Sequence, residues 1–346
     1  MAVLPYGMPA DAIADLYRRS IIIDSLNISN WHSDNVFADL YDGGLTATSA
    51  TVATWEGFVE TADAVAAWYE RFRMRSAQIR PVRSVADIHA AKAEGRVGII
   101  LSFQNATPIE NDLRRLELFA DLGVRVIQVT YHEQNLLGAG CYEAHDAGLT
   151  NFGRDAVREM NRLGILADLS HVGPRTTLDV IEHSERPVAI THANCKGYYD
   201  VPRNKTDEAV RACAARGGVI GATAITSFLR TGEASTLDDM VEAIDDLVER
   251  AGIDHVGFGS DYTQDQPREF WRFISSQQGT KFPSTFTKPD VDYTAMQMYP
   301  KGLETPREMP NLATALIRRG YTPDDVAKVL GGNWLRLFGE VWHPDA

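Results

Sequence analysis

The chain has 346 residues, of which 44% are hydrophobic and 23% charged, with a formal net charge of −13 at pH 7. That length exceeds the commonest domain size yet suits one (β/α)8 barrel, a fold that runs to about 250 residues or more with insertions. The acidic balance argues against nucleic acid or an anionic membrane surface as partner, and no stretch approaches the ~18 uninterrupted apolar residues of a membrane span.

The opening residues MAVLPYGMPADAIADLYRRS lack a basic segment followed by an apolar run, and the three cysteines show no CxxC spacing. Both features fit a reducing, cytoplasmic location. Residues 10–19 read as a short helix, and SIIIDSL follows as a buried strand over 20–24. The β-branched run at 43–54 predicts a second strand. A long amphipathic helix over 56–76 carries Phe58, Ala62, Val65 and Trp68 along one stripe. A helix over 84–96 ends in a glycine stop and feeds the strand 97–103. The helix at 111–123 leads to strand 124–131, and the helix at 151–164 leads to strand 165–170. After a further helix and strand 188–192 come helix 206–218, strand 218–224, helix 235–252 and strand 255–260. Eight strands result, and all connections but the first have room for a helix. The expected fold is a single (β/α)8 TIM-type barrel domain spanning residues 1–346.

The stretch 262–310 breaks this rhythm, because it is long, proline-bearing and rich in aromatic residues. Following the eighth strand, it would lie over the face formed by the strands' C-terminal ends. It reads as an active-site lid, with the interface arm of a homodimer as the alternative. Helices at 310–320 and 322–339 are expected to close the barrel.

The chemistry centres on residues 165–204. There ILADLS and PVAITH run into His171 and His192, with a helix-length segment between them. A βαβ unit places both histidines at the C-terminal ends of neighbouring parallel strands, where two imidazoles can share one metal ion. Asp261, at the end of the last strand in GFGSDYT, can face the same cavity as a ligand or as a general base. Arg203 lies 11 residues beyond His192, and its guanidinium fork suits a substrate carboxylate.

With these motifs in place the sequence resembles the renal (membrane) dipeptidase family of the amidohydrolase superfamily, from about residue 20 to 340. DLSHVG at His171, ITH at His192, VPRNKTDE at Arg203, HVGFGSD at Asp261 and the closing KVLGGNWLRLFG carry the likeness. Members are barrels that hydrolyse dipeptides, some with a D-residue on the C-terminal side, using two bridged zinc ions. The resemblance implies that His171 and His192 bind one zinc, that Asp261 is the base and that Arg203 clamps the substrate carboxylate.

Three departures matter. Where the family has DGHND after the first strand, this chain has DSLNI: Asp24 matches, but Leu26 and Ile28 stand at the ligand positions. Gln104 occupies the place of the glutamate that bridges both metals. Tyr131 replaces the histidine that polarises the scissile carbonyl, with His132 one step on, and His32 falls in a loop. Leucine and isoleucine cannot donate to zinc, and a neutral amide is a poor bridge between two dications. The expectation is therefore zero or one zinc per chain, or another divalent metal, on His171 and His192. Gln104, Asp261 or water would complete the site, and Tyr131 would stand beside Arg203 at the substrate. The corresponding function is a metal-dependent hydrolase cleaving an amide bond in a dipeptide or related small amino-acid derivative. The alternative is a metal-poor homologue that binds a small carboxylate ligand or catalyses a non-hydrolytic reaction.

Overall fold

The computed structural model describes residues 8–284 and 293–342. Its strands are β1 (Ile23–Asn27), β2 (Ala47–Ala53), β3 (Ile79–Pro81), β4 (Val97–Phe103) and β5 (Val124–Gln128), followed by β6 (Leu166–Asp168), β7 (Ala189–Ile190), β8 (Val219–Ala222) and β9 (Val256–Phe258). They pair in the order β1-β2-β4-β5-β6-β7-β8-β9, and every pairing is parallel. The ring closes through a parallel bridge between Asn27 and Tyr262. There the Ile28 N–H donates to the Tyr262 carbonyl at 2.8 Å and the Asp261 N–H to that of Leu26 at 3.1 Å. This is the expected (β/α)8 barrel.

The helices owe their limits to local chemistry. Thr150 accepts a hydrogen bond from the Gly153 N–H to open the helix Asn151–Leu163, and Gly164 ends it at φ 67°. Pro174 sits in the first turn of Pro174–His183, where its missing N–H costs nothing. Thr206 caps Asp207–Ala215 in the same way as Thr150. Each helix returns the chain so that the next strand runs parallel to the last, and His171 and His192 emerge on one face.

Three local expectations need correction. The first strand lies at 23–27 rather than 20–24, because a barrel interior lined by polar side chains accepts the DSLN end of the run. The first connection does hold a helix, Asp34–Asp42, opened by Ser33, whose side chain accepts from the Asn35 N–H. A short strand, β3, was not foreseen; it pairs with the first half of β4 beside the barrel order.

The core has two parts. Beneath the barrel, Trp334, Leu337 and Phe338 pack against the starts of the strands at Ile23, Ala47, Val126, Leu166, Ala189 and Val219. Trp334 Nε1 donates to the Phe258 carbonyl at 3.1 Å, and Asn333 Nδ2 reaches the carbonyls of Ile253 and Val256, each at 2.7 Å. Gly331 makes this approach possible, since a Cβ there would lie 2.4 Å from the Ile21 carbonyl oxygen. The larger apolar cluster fills the layer between strands and helices. No helix among the described residues is long and apolar enough to cross a membrane.

The 262–310 insertion contains a helix, Arg268–Ile274, and a 3-10 turn at Pro306–Glu308, while residues 285–292 lie outside the described residues. It is tied to the barrel rim: the Thr263 N–H donates to the Tyr299 hydroxyl at 2.6 Å, and the Tyr262 hydroxyl donates to the Leu303 carbonyl at 3.1 Å.

Candidate active site

The site rests on a buried polar scaffold at the ends of β6 and β7. Asp168 accepts four hydrogen bonds, from the Ser170 N–H (3.1 Å) and hydroxyl (2.6 Å) and from the Thr191 N–H (2.9 Å) and hydroxyl (2.8 Å). Thr191 Oγ1 also lies 2.7 Å from His192 Nδ1. With its own proton on Asp168, the threonine oxygen accepts the Nδ1 proton, which assigns the His192 tautomer and leaves Nε2 as a lone-pair donor. His192 Nε2 faces His171 Nε2 at 2.9 Å. Burial, reinforced by the Arg203 charge, pushes both imidazoles well below their usual pKa, so both are neutral at pH 7.

Gln104, just beyond β4, donates from Nε2 to Thr51 Oγ1 at 3.0 Å, while its Oε1 is buried without a partner. Asp261 stands just beyond β9 at φ 60°, a strained conformation for a residue with a side chain. Its carboxylate makes no hydrogen bond to any described residue. Burial pushes it up to about 7, against the opposing pull of Arg203. Tyr131 stacks on His171 with centroids 4.2 Å apart and meets Trp55 edge-on at 5.0 Å. Gln104, Tyr131, His171 and Asp261 all line one cavity of about 190 Å³ at this face, and His192 stands behind His171.

Arg203 has backbone partners that its sequence position did not suggest. It is fully buried, its terminal nitrogens donate to the carbonyls of Ser170 (2.6 Å) and His192 (2.7 Å), and it is absent from the cavity wall. The guanidinium carbon lies 5.5 Å from the ring centroid of Phe228, which does form wall. The guanidinium therefore braces the two histidine-bearing strand ends, while its Nε is buried without a partner. Sequence reasoning left His132 without a role, although it lines the cavity and stacks on Tyr131 at 3.9 Å. Tyr142, Trp271 and Tyr293 are further wall residues it missed. The aromatic content of 262–310 was the available signal for the last two.

A bridged metal pair does not fit this site. Leu26 is only 1% exposed and Ile28 is cavity wall, so hydrocarbon stands at two ligand positions. Among the described residues no group of three or more His, Cys, Asp or Glu side chains is arranged to hold a metal ion. The donors available for a single ion are the facing Nε2 atoms of His171 and His192 and the orphaned Oε1 of Gln104.

A crystal structure described as an amidohydrolase from Pseudomonas aeruginosa matches with 41% identity and a TM-score of 0.91, covering 95% of this chain and 99% of that one. A metallopeptidase from Rhodobacter sphaeroides, solved with a phosphinate mimic of the dipeptide L-Ala-D-Ala, shares the fold at 21% identity and a TM-score of 0.77, covering 93% of this chain and all of that one. The dipeptidase aclJ of Aspergillus oryzae is 27% identical over 269 residues, which is 76% of this chain. This chain spans about half the length of the curated relatives it matches, 56% of that dipeptidase and 55% of one from Schizosaccharomyces pombe. The model of the membrane dipeptidase family, peptidase family M19, matches residues 12–272 and 290–344, and the chain belongs to that family.

Proposed function

We propose that the chain is a metal-dependent hydrolase that cleaves an amide bond in a dipeptide or related small amino-acid derivative, with at most one zinc or other divalent ion. The observation that carries this reading is the meeting of neutral His171, Gln104 and the unpartnered Asp261 on one cavity, with His192 behind. His171, His192 and Gln104 would hold the ion. When bound, such an ion supplies Lewis-acid polarisation and lowers the pKa of a coordinated water. Asp261 takes a proton from the attacking water and returns one to the departing amine nitrogen. A carboxyl group with a pKa of about 7 suits both directions near neutral pH. Arg203, fixed on two backbone carbonyls, holds the histidine-bearing loops in register. The insertion excludes water by placing Trp271, Ile274 and Met298 over the reacting groups.

Loss of the second ligand set favours substrates other than ordinary dipeptides, since a bridging hydroxide between two metals is unavailable. A metal-poor homologue with a non-hydrolytic role is the second reading, favoured by the absence, among the described residues, of three convergent acidic, thiol or imidazole ligands. Amine release from a panel of dipeptides and amino-acid amides, with and without a chelator, separates the two. Turnover that disappears on chelation, returns with zinc and is absent in Asp261→Asn supports the hydrolase. Turnover indifferent to chelation, or no turnover of any panel member, overturns it.

A further inference from the structure

The groups that carry the proposed chemistry and the groups that offer only carbon reach the cavity from different elements. Gln104 follows β4, Tyr131 and His132 follow β5, His171 follows β6 and Asp261 follows β9. The strand order sets the exit of β8 between that of β7, which bears His192, and that of β9. Yet β8 brings Ile225, Ser227 and Phe228 to the wall, with no acid, base or amide among them. From the insertion, Ile274 and Met298 add aliphatic carbon and a thioether to the same cavity.

This apolar side is built as one piece. The Thr226 N–H donates to the Met298 carbonyl at 2.9 Å and its hydroxyl to the Gln297 carbonyl at 2.6 Å, so the β8 exit and the insertion are bonded together at the cavity. Ile225 is 5% exposed, and Phe228 stands with its ring centroid 5.5 Å from the fixed Arg203 guanidinium carbon. A polar side chain lodged against these groups would exchange its hydrogen bonds to water for contacts with carbon, a loss that an apolar one does not suffer. The room is sufficient. A leucine side chain is smaller than benzene, which an engineered cavity of roughly 150 Å³ takes up. The volume here, about 190 Å³, therefore accepts such a side chain together with an amide group.

We propose that the wall formed by the β8 exit and the insertion is a specificity pocket for one bulky apolar side chain flanking the scissile amide, and that Ile225 and Met298 set the preference. The proposal rests on the hydrolase reading for the bond that is cleaved and names its substrate class: amides of branched-chain or aromatic residues, with glycine and polar residues of equal size disfavoured.

Three neutral probes that share one backbone test it: N-acetyl-L-leucinamide, N-acetyl-L-glutaminamide and N-acetylglycinamide. Their common amides cancel whatever a metal ion or Asp261 contributes, so differences in affinity report the side chain alone. Binding to the full chain is followed by ligand-observed NMR titration, which also reveals any cleavage. The leucine probe should bind at least about tenfold more tightly than either of the others. Met298→Gln and Ile225→Thr, on different elements and each close to the parent residue in volume, should each cut that preference at least about threefold, with folding checked by circular dichroism. A leucine probe that binds no more tightly than the glutamine probe overturns the proposal, and so does a preference that either folded variant leaves intact. Because the readout is binding, selectivity without hydrolysis keeps this inference and removes the hydrolase, whereas hydrolysis indifferent to the side chain does the reverse.

Discussion

At the scale of single residues, most polar groups of the site are held by specific partners, while the Asp261 carboxylate, Gln104 Oε1, His171 Nδ1 and Arg203 Nε have none among the described residues. Arg203 shows the difference between a residue type and its role. Two charge-assisted bonds to carbonyls at the ends of β6 and β7 are a structural use of the guanidinium. Arg203→Lys should lower the free energy of unfolding by roughly 1.5–3 kcal/mol, because one ammonium cannot span both carbonyls. Chemical denaturation measures this; a variant as stable as the parent that binds carboxylate ligands less well would restore the clamp. The placement of His171, His192, Gln104, Tyr131 and Asp261 was legible because each stands at or just beyond a strand end, and strand ends show in an apolar run. The fate of Arg203 was not legible, since its partners lie 33 and 11 residues away in the chain and are backbone atoms with no residue-type signature. Asp24 carries a second test. Burial raises its pKa to about 6 despite the Ser260 bonds, so protonation favours the folded state. That contribution, of order 2–3 kcal/mol, is present below about pH 4 and is lost as the pH rises through about 6. Asp24→Asn should lack this dependence. Parallel stability profiles of parent and variant between those limits would contradict it.

At the scale of elements, what decides the site is that βα units deliver their strand ends to one face. The strands with strong apolar runs were legible, and the ambiguous ones were not. β7 pairs over two residues, Ala189 and Ile190, because the chain turns into the polar scaffold at Thr191 and His192. The helix Asp34–Asp42 had its signal in Ser33 and in the apolar Val36, Phe37 and Leu40, but the short span hid it. β3 is three residues ending in proline, too short for any periodicity. The insertion stood out in the sequence by its length and aromatic residues, and its helix Arg268–Ile274 brings Trp271 and Ile274 to the cavity. Trp271→Ala should lower turnover of the hydrolysed panel member about tenfold, since it opens the cavity beside Asp261 to water. The same variant should keep the parent's sedimentation behaviour. A change in oligomeric state with turnover intact would instead mark the segment as a dimer arm.

At the scale of the whole molecule, the barrel separates stability from chemistry. Trp334, Leu337 and Phe338 seal the N-terminal end, while the histidines, Gln104 and Asp261 occupy the other. That division lets residues of the chemical face change without disturbing the seal, so a chain with leucine and isoleucine at positions 26 and 28 can remain in the family. The proposed single metal ion is the point on which the hydrolase reading turns. Zinc titration of the chelator-treated chain by calorimetry tests it most directly, with His171→Ala as the control. Saturation at one equivalent per chain, abolished by the substitution, is expected. Saturation at two equivalents, or one equivalent retained without His171, would contradict it.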